Sequence, residues 1–248
     1  MKILVCISHV PDTTSKINFT ENDTKFDTNG VQYVINPNDE FGLTRAMWLK
    51  EKQGASVDVV NVGGAETEPT LRKALAIGAD NAIRVNTEAK DGFQVAKELA
   101  AVVKNGAYDL VIAGRESIDY NGGMVPGMLA GLTDANYVTN CISLEIDGTN
   151  ATAVREIDGG KETVATSLPL VIGGQKGLVE ESDLRIPNMR GIMMARKKPL
   201  TVFEPTATTQ ETNSVTFEKP APKGSVKLVD AGNIDELVNL LHNEAKVI

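Results

Sequence analysis

The chain has 248 residues, of which 42% are hydrophobic and 23% are charged, a composition typical of a globular protein with a substantial core. Its formal net charge of −8 disfavours nucleic acid or an anionic membrane surface as a partner, and the 4% of aromatic residues argues against stacking platforms for single strands. Two cysteines and two histidines support neither a disulfide framework nor a metal cluster.

The chain begins with an apolar run at residues 2–7, which predicts a short buried strand. This run is too short for a signal peptide, and no apolar run reaches the roughly 20 residues of a membrane span. We therefore expect a cytoplasmic protein without membrane insertion. Residues 11–31 are polar and rich in turn formers, which predicts a loop or a small hairpin.

Strands and helices alternate through the first half of the chain. Buried strands are predicted at residues 2–7, 57–62, 82–85 and 108–113, and helices at residues 37–52, 68–77, 93–104 and 122–132. Asn38 or Asp39 can cap the first helix, and Gly78 can end the second. This alternation predicts an α/β fold with a doubly wound, mostly parallel sheet.

The pattern changes in the second half. Residues 141–146, 152–157 and 163–167 alternate in polarity and are separated by the dipeptides Asp147-Gly148 and Asp158-Gly159, which predicts antiparallel hairpins. A last strand is predicted at residues 168–172. Residues 199–222 predict an extended arm, and residues 233–246 an amphipathic helix that docks on its own domain or on another chain.

The ends of the predicted strands form a candidate ligand site. Residues 6–9, 36–39, 62–64 and 114–125 would lie on one rim of the sheet, where doubly wound folds bind ligands. In the last segment, glycines permit a tight turn and free N–H groups at the next helix start can bind phosphate. The alternative is a glycine turn that caps a helix without any ligand.

Motifs for catalysis are missing from the sequence. It lacks the Walker A pattern, the GxGxxG fingerprint and the GxSxG nucleophile motif. Cys6 is predicted to be a buried structural thiol more readily than a nucleophile. His9 fits a ligand contact and a surface loop equally well.

Three stretches, with the tail, resemble the electron-transfer flavoprotein β subunit family over nearly the whole chain. They are VREIDGGKETVATSLPLVI at 154–172, the segment from KGL to RIPNMRGIMMARKKPL at 176–200, and the N-terminal frame with INPNDE at 35–40 and TLRKALAIGAD at 70–80. The resemblance implies an electron carrier, not an enzyme complete in itself, that pairs with a larger α subunit. That subunit carries most contacts to the redox FAD.

The resemblance also implies an adenine nucleotide in this chain, either AMP or, in electron-bifurcating members that oxidise NADH, a second FAD. The implied contacts are Cys6, Asn36, Pro37, Asn38, Asp39, Val62, Gly63, Gly114, Arg115, Ser117, Asp119, Asn121, Gly122, Gly123, Met124 and Val125. Where the family commonly has Gln, then Thr or Val, then Gly, this chain has Met124-Val125-Pro126-Gly127. A side-chain contact to phosphate is lost there, and the backbone N–H groups remain.

The resemblance further implies a recognition loop at residues 176–198 for acyl-CoA dehydrogenase-type donors, with Leu178 as an exposed anchor. The implied partner contacts are Leu178, Arg185, Met189, Arg190, Met193 and Lys197. The basic run at 196–198 could complement an acidic donor surface. An acceptor oxidoreductase completes the set of partners.

Residues 1–198 are expected to form the nucleotide-binding domain, and residues 199–248 an arm and helix that dock on the α subunit. The rival outside this family is a stand-alone adenine-nucleotide hydrolase or sensor.

Overall fold

The computed structural model describes residues 1–206 and 208–248 as a large sheet with helices on both faces. The strands are β1 Lys2–Cys6, β2 His9–Pro11, β3 Phe19–Thr20, β4 Lys25–Phe26, β5 Tyr33–Ile35, β6 Ser56–Val62, β7 Asn81–Val85, β8 Leu110–Gly114, β9 Asn136–Asp147, β10 Asn150–Ile157, β11 Gly160–Ser167, β12 Leu170–Gly174 and β13 Leu200–Phe203. The helices are α1 Pro37–Gln53, α2 Glu68–Ile77, α3 Gly92–Gly106, α4 Val125–Thr133, α5 Met189–Ala195 and α6 Ile234–Asn239.

The large sheet has nine strands in the order β11-β10-β9-β12-β8-β1-β6-β7-β13. β1 lies at its centre and is parallel to both β6 and β8, with Ile3 opposite Val57 on one side and Leu110 on the other. The hairpins β9-β10-β11 extend one edge as antiparallel strands. The prediction of a mostly parallel α/β sheet with antiparallel additions is confirmed.

Two apolar layers cover the sheet, because successive side chains of a strand point to opposite faces. Ile3 and Val5 of β1 belong to the layer under α1 and α2, whereas Leu4 and Cys6 belong to the layer under α3 and α4. Helices on both faces bury the parallel strands, which explains their continuous apolar runs.

Several predicted boundaries differ from the structure. The fourth helix begins at Val125 and not at Gly122, because Asn121 and Gly123 adopt positive φ angles of 49° and 61° that interrupt a helix. The strand predicted at residues 168–172 is β12, which begins two residues later than predicted, at Leu170. Residues 11–31 were predicted to form a loop or a small hairpin, and they contain the hairpin β3-β4.

The arm predicted from residue 199 is wrong at its beginning. Residues 200–203 form β13, which pairs in parallel with β7 and extends the sheet. Beyond it, the buried carboxylate of Glu98 on α3 accepts hydrogen bonds from Thr206 N at 2.9 Å and from Thr206 Oγ1 at 2.8 Å. Phe217 then stacks on Phe19 of β3, with ring centroids 5.1 Å apart. The arm is therefore tied to the domain as far as the β3-β4 hairpin.

The last segment of the chain has no recorded polar contact with the domain among the described residues. In residues 220–248, the recorded hydrogen bonds and the salt bridge join only residues of that segment among those described. The helix predicted at 233–246 is α6 followed by a π-helical turn, Leu240–Ala245. Ile234, Leu237 and Val238 are 66%, 45% and 48% exposed. Within the part of the chain that the structure describes, no helix is long and apolar enough to cross a membrane.

Candidate functional site

The candidate site lies where the chain changes direction in the sheet. From β1 the strands proceed through β6 to β7 on one side, and the chain then crosses back to place β8 on the other side of β1. The carboxyl ends of β1 and β8 flank this switch point, which is where ligands of doubly wound sheets bind. Sequence segments 6–9, 36–39, 62–64 and 114–125 meet around it.

Asp39 fastens two of these segments to each other. Its carboxylate accepts a hydrogen bond from Ser8 N at 2.7 Å and another from Gly114 N at 2.8 Å. The side chain is buried, and a Cβ at Gly114 would collide with Asp39 Oδ1. Glycine is therefore required at the end of β8, and Asp39 sets the distance between the β1 and β8 ends.

The same carboxylate explains why a predicted helix cap is wrong. The residue that precedes α1 is Asn36, and neither it nor Asn38 or Asp39 caps the helix through its side chain. Pro37 stands at the first turn, where a missing N–H costs no hydrogen bond. The polar side chains of the turn are thus free to bind the neighbouring loop.

Two asparagines hold that loop. Asn36 Nδ2 and Asn38 Nδ2 both donate to Glu116 O, at 2.9 and 3.0 Å, and Ile118 N donates to Asn36 Oδ1 at 3.2 Å. Asn36 is completely buried. The segment after β8 therefore has a defined path before it reaches the exposed turn at residues 119–124.

The exposed turn leads into α4 with its backbone open to a ligand. A Cβ at Gly122 or Gly123 would meet no atom closer than 3.8 Å. Among the described residues, none accepts a hydrogen bond from the N–H groups of Gly123, Met124 or Val125. Free N–H groups at a helix start, together with the helix dipole, favour a bound anion such as phosphate.

The remaining predicted contacts border this turn. Arg115 donates its backbone N–H to Gly174 O at 2.7 Å, and its guanidinium pairs with Glu116. Ser117 is half-buried, and Asp119 is exposed. Asp119 also lies close enough to His9 and Tyr33 to act on both groups: burial lowers the pKa of His9 and the charge of Asp119 opposes this, whereas burial raises the pKa of Tyr33 and the charge of Asp119 adds to it. A hydroxyl and a carboxylate beside the free amides suit the hydroxyls of a ribose.

Sequence reasoning missed Arg84, which supports the rim from below. Its guanidinium is buried in β7 and donates to Gly63 O at 3.1 Å and to Asn86 Oδ1 at 2.7 Å. Gly63 N in turn donates to Val85 O at 3.0 Å. Both polar groups of Gly63 are thus engaged, beside the buried Val62. A charged residue within the apolar run of β7 was the available signal.

The titratable groups at the rim are shifted by burial. Burial, and next the charge of Asp39, raise the pKa of the Cys6 thiol far above its usual range, so Cys6 is an inert thiol. Cys6 and Cys141 are both buried and free, as predicted. Burial lowers the pKa of His9, whose ring stacks on Tyr33 at 4.2 Å and whose Nδ1 lies 2.8 Å from Thr70 Oγ1.

Asp39 gives the stability a pH dependence. Burial raises its pKa from 3.8 to about 7, against the hydrogen bonds from Ser8, Asn36 and Gly114. Between pH 3.8 and about 7 the native state holds a proton on Asp39 that the unfolded chain has released. The contribution of protonated Asp39 to the free energy of unfolding is therefore present at low pH and is lost as the pH rises through 7. Three pH units correspond to about 4 kcal/mol.

We expect the wild type to lose stability relative to Asp39→Ala by up to this amount between about pH 4 and pH 7, with no further loss above about pH 8. Urea unfolding of both proteins across this range measures it. A constant difference in the free energy of unfolding would contradict the shifted pKa.

The predicted partner segment has one wrong assignment. Leu178 is 4% exposed and packs in the core, so it is not an exposed anchor. The reason is a turn after β12, in which Leu178 N donates to Gln175 O at 3.1 Å and Gly177 has φ 101°. The turn brings Leu178 back over Gly174.

Other side chains of this segment are exposed. Met189 and Met193 are 75% and 65% exposed, and Arg190 and Lys197 are also exposed. Arg185 is held on α1, because its guanidinium donates to Glu51 at 2.7 Å. Lys198 does not belong to the free basic run, because its Nζ donates to the carbonyls of Leu75 and Ala79.

Comparisons with known proteins place the chain in one family. A family model described as "Electron transfer flavoprotein domain" matches residues 23–208. The chain is 37% identical to the electron transfer flavoprotein subunit beta of Bacillus subtilis, with 100% of both chains covered. It is 34% identical to the subunit beta of Syntrophomonas wolfei, over 100% of this chain and 98% of the relative. The human subunit beta is 34% identical over 83% of this chain and 82% of its own length.

Proposed function

The chain belongs to the electron-transfer flavoprotein β subunit family, and on that premise we propose that it pairs with a flavin-carrying α subunit and binds an adenine nucleotide at the rim of its sheet. In the resulting dimer the protein carries electrons from an acyl-CoA dehydrogenase-type donor to an acceptor oxidoreductase. The observation that carries the proposal is the loop at 114–125, which Asp39, Asn36 and Asn38 hold at the switch point with three free amides.

The residues at the rim fit such a nucleotide. The N–H groups of Gly123, Met124 and Val125 would bind its phosphate, and Ser117 and Asp119 its ribose. Loss of the family's usual side chain at Met124 removes one phosphate contact and leaves these backbone donors. AMP and FAD share the adenosine phosphate part that this site would hold, so both remain candidates.

The flavin supplies the redox chemistry of the dimer when it is bound, and the protein supplies position and environment. The residues of this chain contribute to the position and environment of the bound groups. Asp39 and the two asparagines fix the rim, and the inert Cys6 offers no competing nucleophile. The chain is thus proposed as a carrier subunit and not as an enzyme by itself.

A count of bound cofactors tests the proposal. The chain is co-expressed with the α subunit of the same host, and the purified dimer is denatured to release its nucleotides for chromatography. One FAD and one AMP per dimer are expected for the carrier. Two FAD with oxidation of NADH would favour the bifurcating alternative. ATP hydrolysis by the isolated chain, without any α subunit bound, would overturn the proposal in favour of a stand-alone hydrolase.

The exposed turn provides a sharper test. Replacing Gly123 by valine is expected to lower nucleotide retention about tenfold or more, because valine does not tolerate φ 61° and its side chain covers the free amides. The matched control is Gly131→Ala in α4, where a Cβ meets no atom within 4 Å. Equal nucleotide content in both variants would argue against the loop as the binding site.

A further inference from the structure

Three of the seven methionines of the chain lie on one seven-residue helix. In α5, Met189, Met193 and Met194 are 75%, 65% and 54% exposed. Met124, on the turn before α4, is less exposed at 47%, and Met47 is 3% exposed in the core. Exposed methionine thioethers react with peroxides, and burial protects them. The cluster therefore contains the three methionines of the chain that are most accessible to an oxidant.

The packing of α5 keeps these side chains outward. On its inner side Ala195 is buried, and Gly191 lies against Ala76 O so closely that a Cβ would collide. Arg72 Nη1 donates to Ala195 O at 3.0 Å and to Lys198 O at 2.9 Å, which fastens the end of the helix to α2. The helix cannot turn its methionines inward without breaking these contacts.

We propose that Met189, Met193 and Met194 form a peroxide-sensitive modification site whose reversible sulfoxidation weakens docking of the electron donor. The docking part rests on the proposed function, in which residues 176–198 recognise the donor. In the reaction, a sulfur lone pair attacks one oxygen of hydrogen peroxide, the O–O bond breaks and an S–O bond forms. The second oxygen leaves as hydroxide and becomes water with the proton released from the first. Sulfur loses two electrons and peroxide gains them.

The modification changes the character of the surface and not its charge. A thioether is an adaptable apolar contact, whereas a sulfoxide is polar. The exposed cations Arg190, Arg196 and Lys197 are untouched by peroxide, so charge attraction to a donor persists. Oxidation therefore weakens the apolar part of docking and leaves the charge attraction in place. Methionine sulfoxide reductases reverse the change, which makes the site a switch and not only a lesion.

Peptide masses of the reconstituted αβ dimer test the modification site without an electron donor. After brief treatment with hydrogen peroxide, trypsin releases Met189 in residues 186–190 and the other two methionines in residues 191–196. We expect both peptides to gain about 16 Da per oxygen earlier than two reference peptides. These are residues 116–155, which carry Met124 and Met128, and residues 46–50, which carry Met47 and should react much later. Oxidation of residues 116–155 as early as those of α5 would overturn the site.

Electron acceptance from a substrate-reduced acyl-CoA dehydrogenase tests the consequence. We expect the oxidised dimer to accept electrons about tenfold more slowly and to recover after treatment with both methionine sulfoxide reductases. The variant with Met189, Met193 and Met194 all replaced by leucine keeps the apolar volume and should not respond to peroxide. Met128→Leu is the control that should still respond.

Two results would overturn the effect on docking. One is an undiminished rate in a dimer whose α5 peptides are fully oxidised. The other is an equal loss of rate in the leucine variant, which would place the sensitive group elsewhere. A dimer that accepts no electrons even before oxidation would overturn the donor in the proposed function, whereas the order of peptide oxidation would still decide the modification site.

Discussion

Replacing Asp39 by alanine is expected to remove the adenine nucleotide from the αβ dimer almost completely. The carboxylate accepts from Ser8 N and Gly114 N at 2.7 and 2.8 Å, and no other side chain joins the β1 and β8 ends in this way among the described residues. Without it, both amides lose their acceptor, and the loop that begins at Gly114 loses its fixed origin. A site that depends on a positioned loop loses affinity steeply when the loop is released.

The same substitution has a smaller effect on folding. Two buried N–H groups without acceptors would cost roughly 2–6 kcal/mol, but removing a buried charge offsets part of this cost at neutral pH. A net loss of about 2 kcal/mol is therefore expected. Nucleotide content of the purified dimer and urea unfolding measure the two effects separately.

Asp134→Asn is the matched control for Asp39→Ala. Asp134 is exposed at the end of α4 with φ 52°, a conformation that asparagine also adopts readily. We expect this variant to keep its nucleotide and its stability. Full retention of nucleotide by Asp39→Ala would show that the rim keeps its shape without the carboxylate.

The architecture of the sheet could be predicted because it depends on local patterns. Parallel strands buried on both faces are continuous apolar runs, and the dipeptides Asp147-Gly148 and Asp158-Gly159 mark the turns of the hairpins. The rim followed from topology, because parallel strands end at one edge. Its segments could be located without knowing any contact between side chains.

Contacts distant in the sequence could not be predicted in the same way. Asp39 resembles a helix cap in the sequence, and only the sheet order shows that Gly114, 75 residues away, competes for its carboxylate. Leu178 was expected to be exposed, but the turn at Gly177 buries it. Arg84 donates to Gly63 across 21 residues. Each outcome depends on tertiary neighbours and not on a local pattern.

The composition of the arm did not reveal where its contacts end. Thr, Pro and Glu predict extended chain, and yet residues 200–203 complete the sheet, because β7 would otherwise be an unpaired edge. Glu98 then binds Thr206, and Phe217 reaches Phe19. Beyond residue 219 the same kind of sequence has lost all such contacts in the described structure.

Deleting residues 220–248 is expected to weaken association with the α subunit about 100-fold or more while leaving the isolated chain as stable as before. Ile234, Leu237 and Val238 lie exposed on α6, and burying three such side chains in a partner can contribute well over the ~3 kcal/mol that this factor requires. No hydrogen bond or salt bridge recorded among the described residues ties this segment to the domain. The melting temperature of the isolated chain should therefore change by no more than about 1 °C.

Point substitutions distinguish the contribution of the apolar face of α6 to α-subunit affinity from that of the length of the tail. Replacing Leu237 and Val238 together by serine should reproduce most of the loss of affinity, whereas Glu244→Ser on the exposed end of the helix should not. Titration of the α subunit with each variant, followed by calorimetry, gives the affinities. If the truncated chain bound the α subunit as tightly as the full chain, the interface would have to lie on the domain itself.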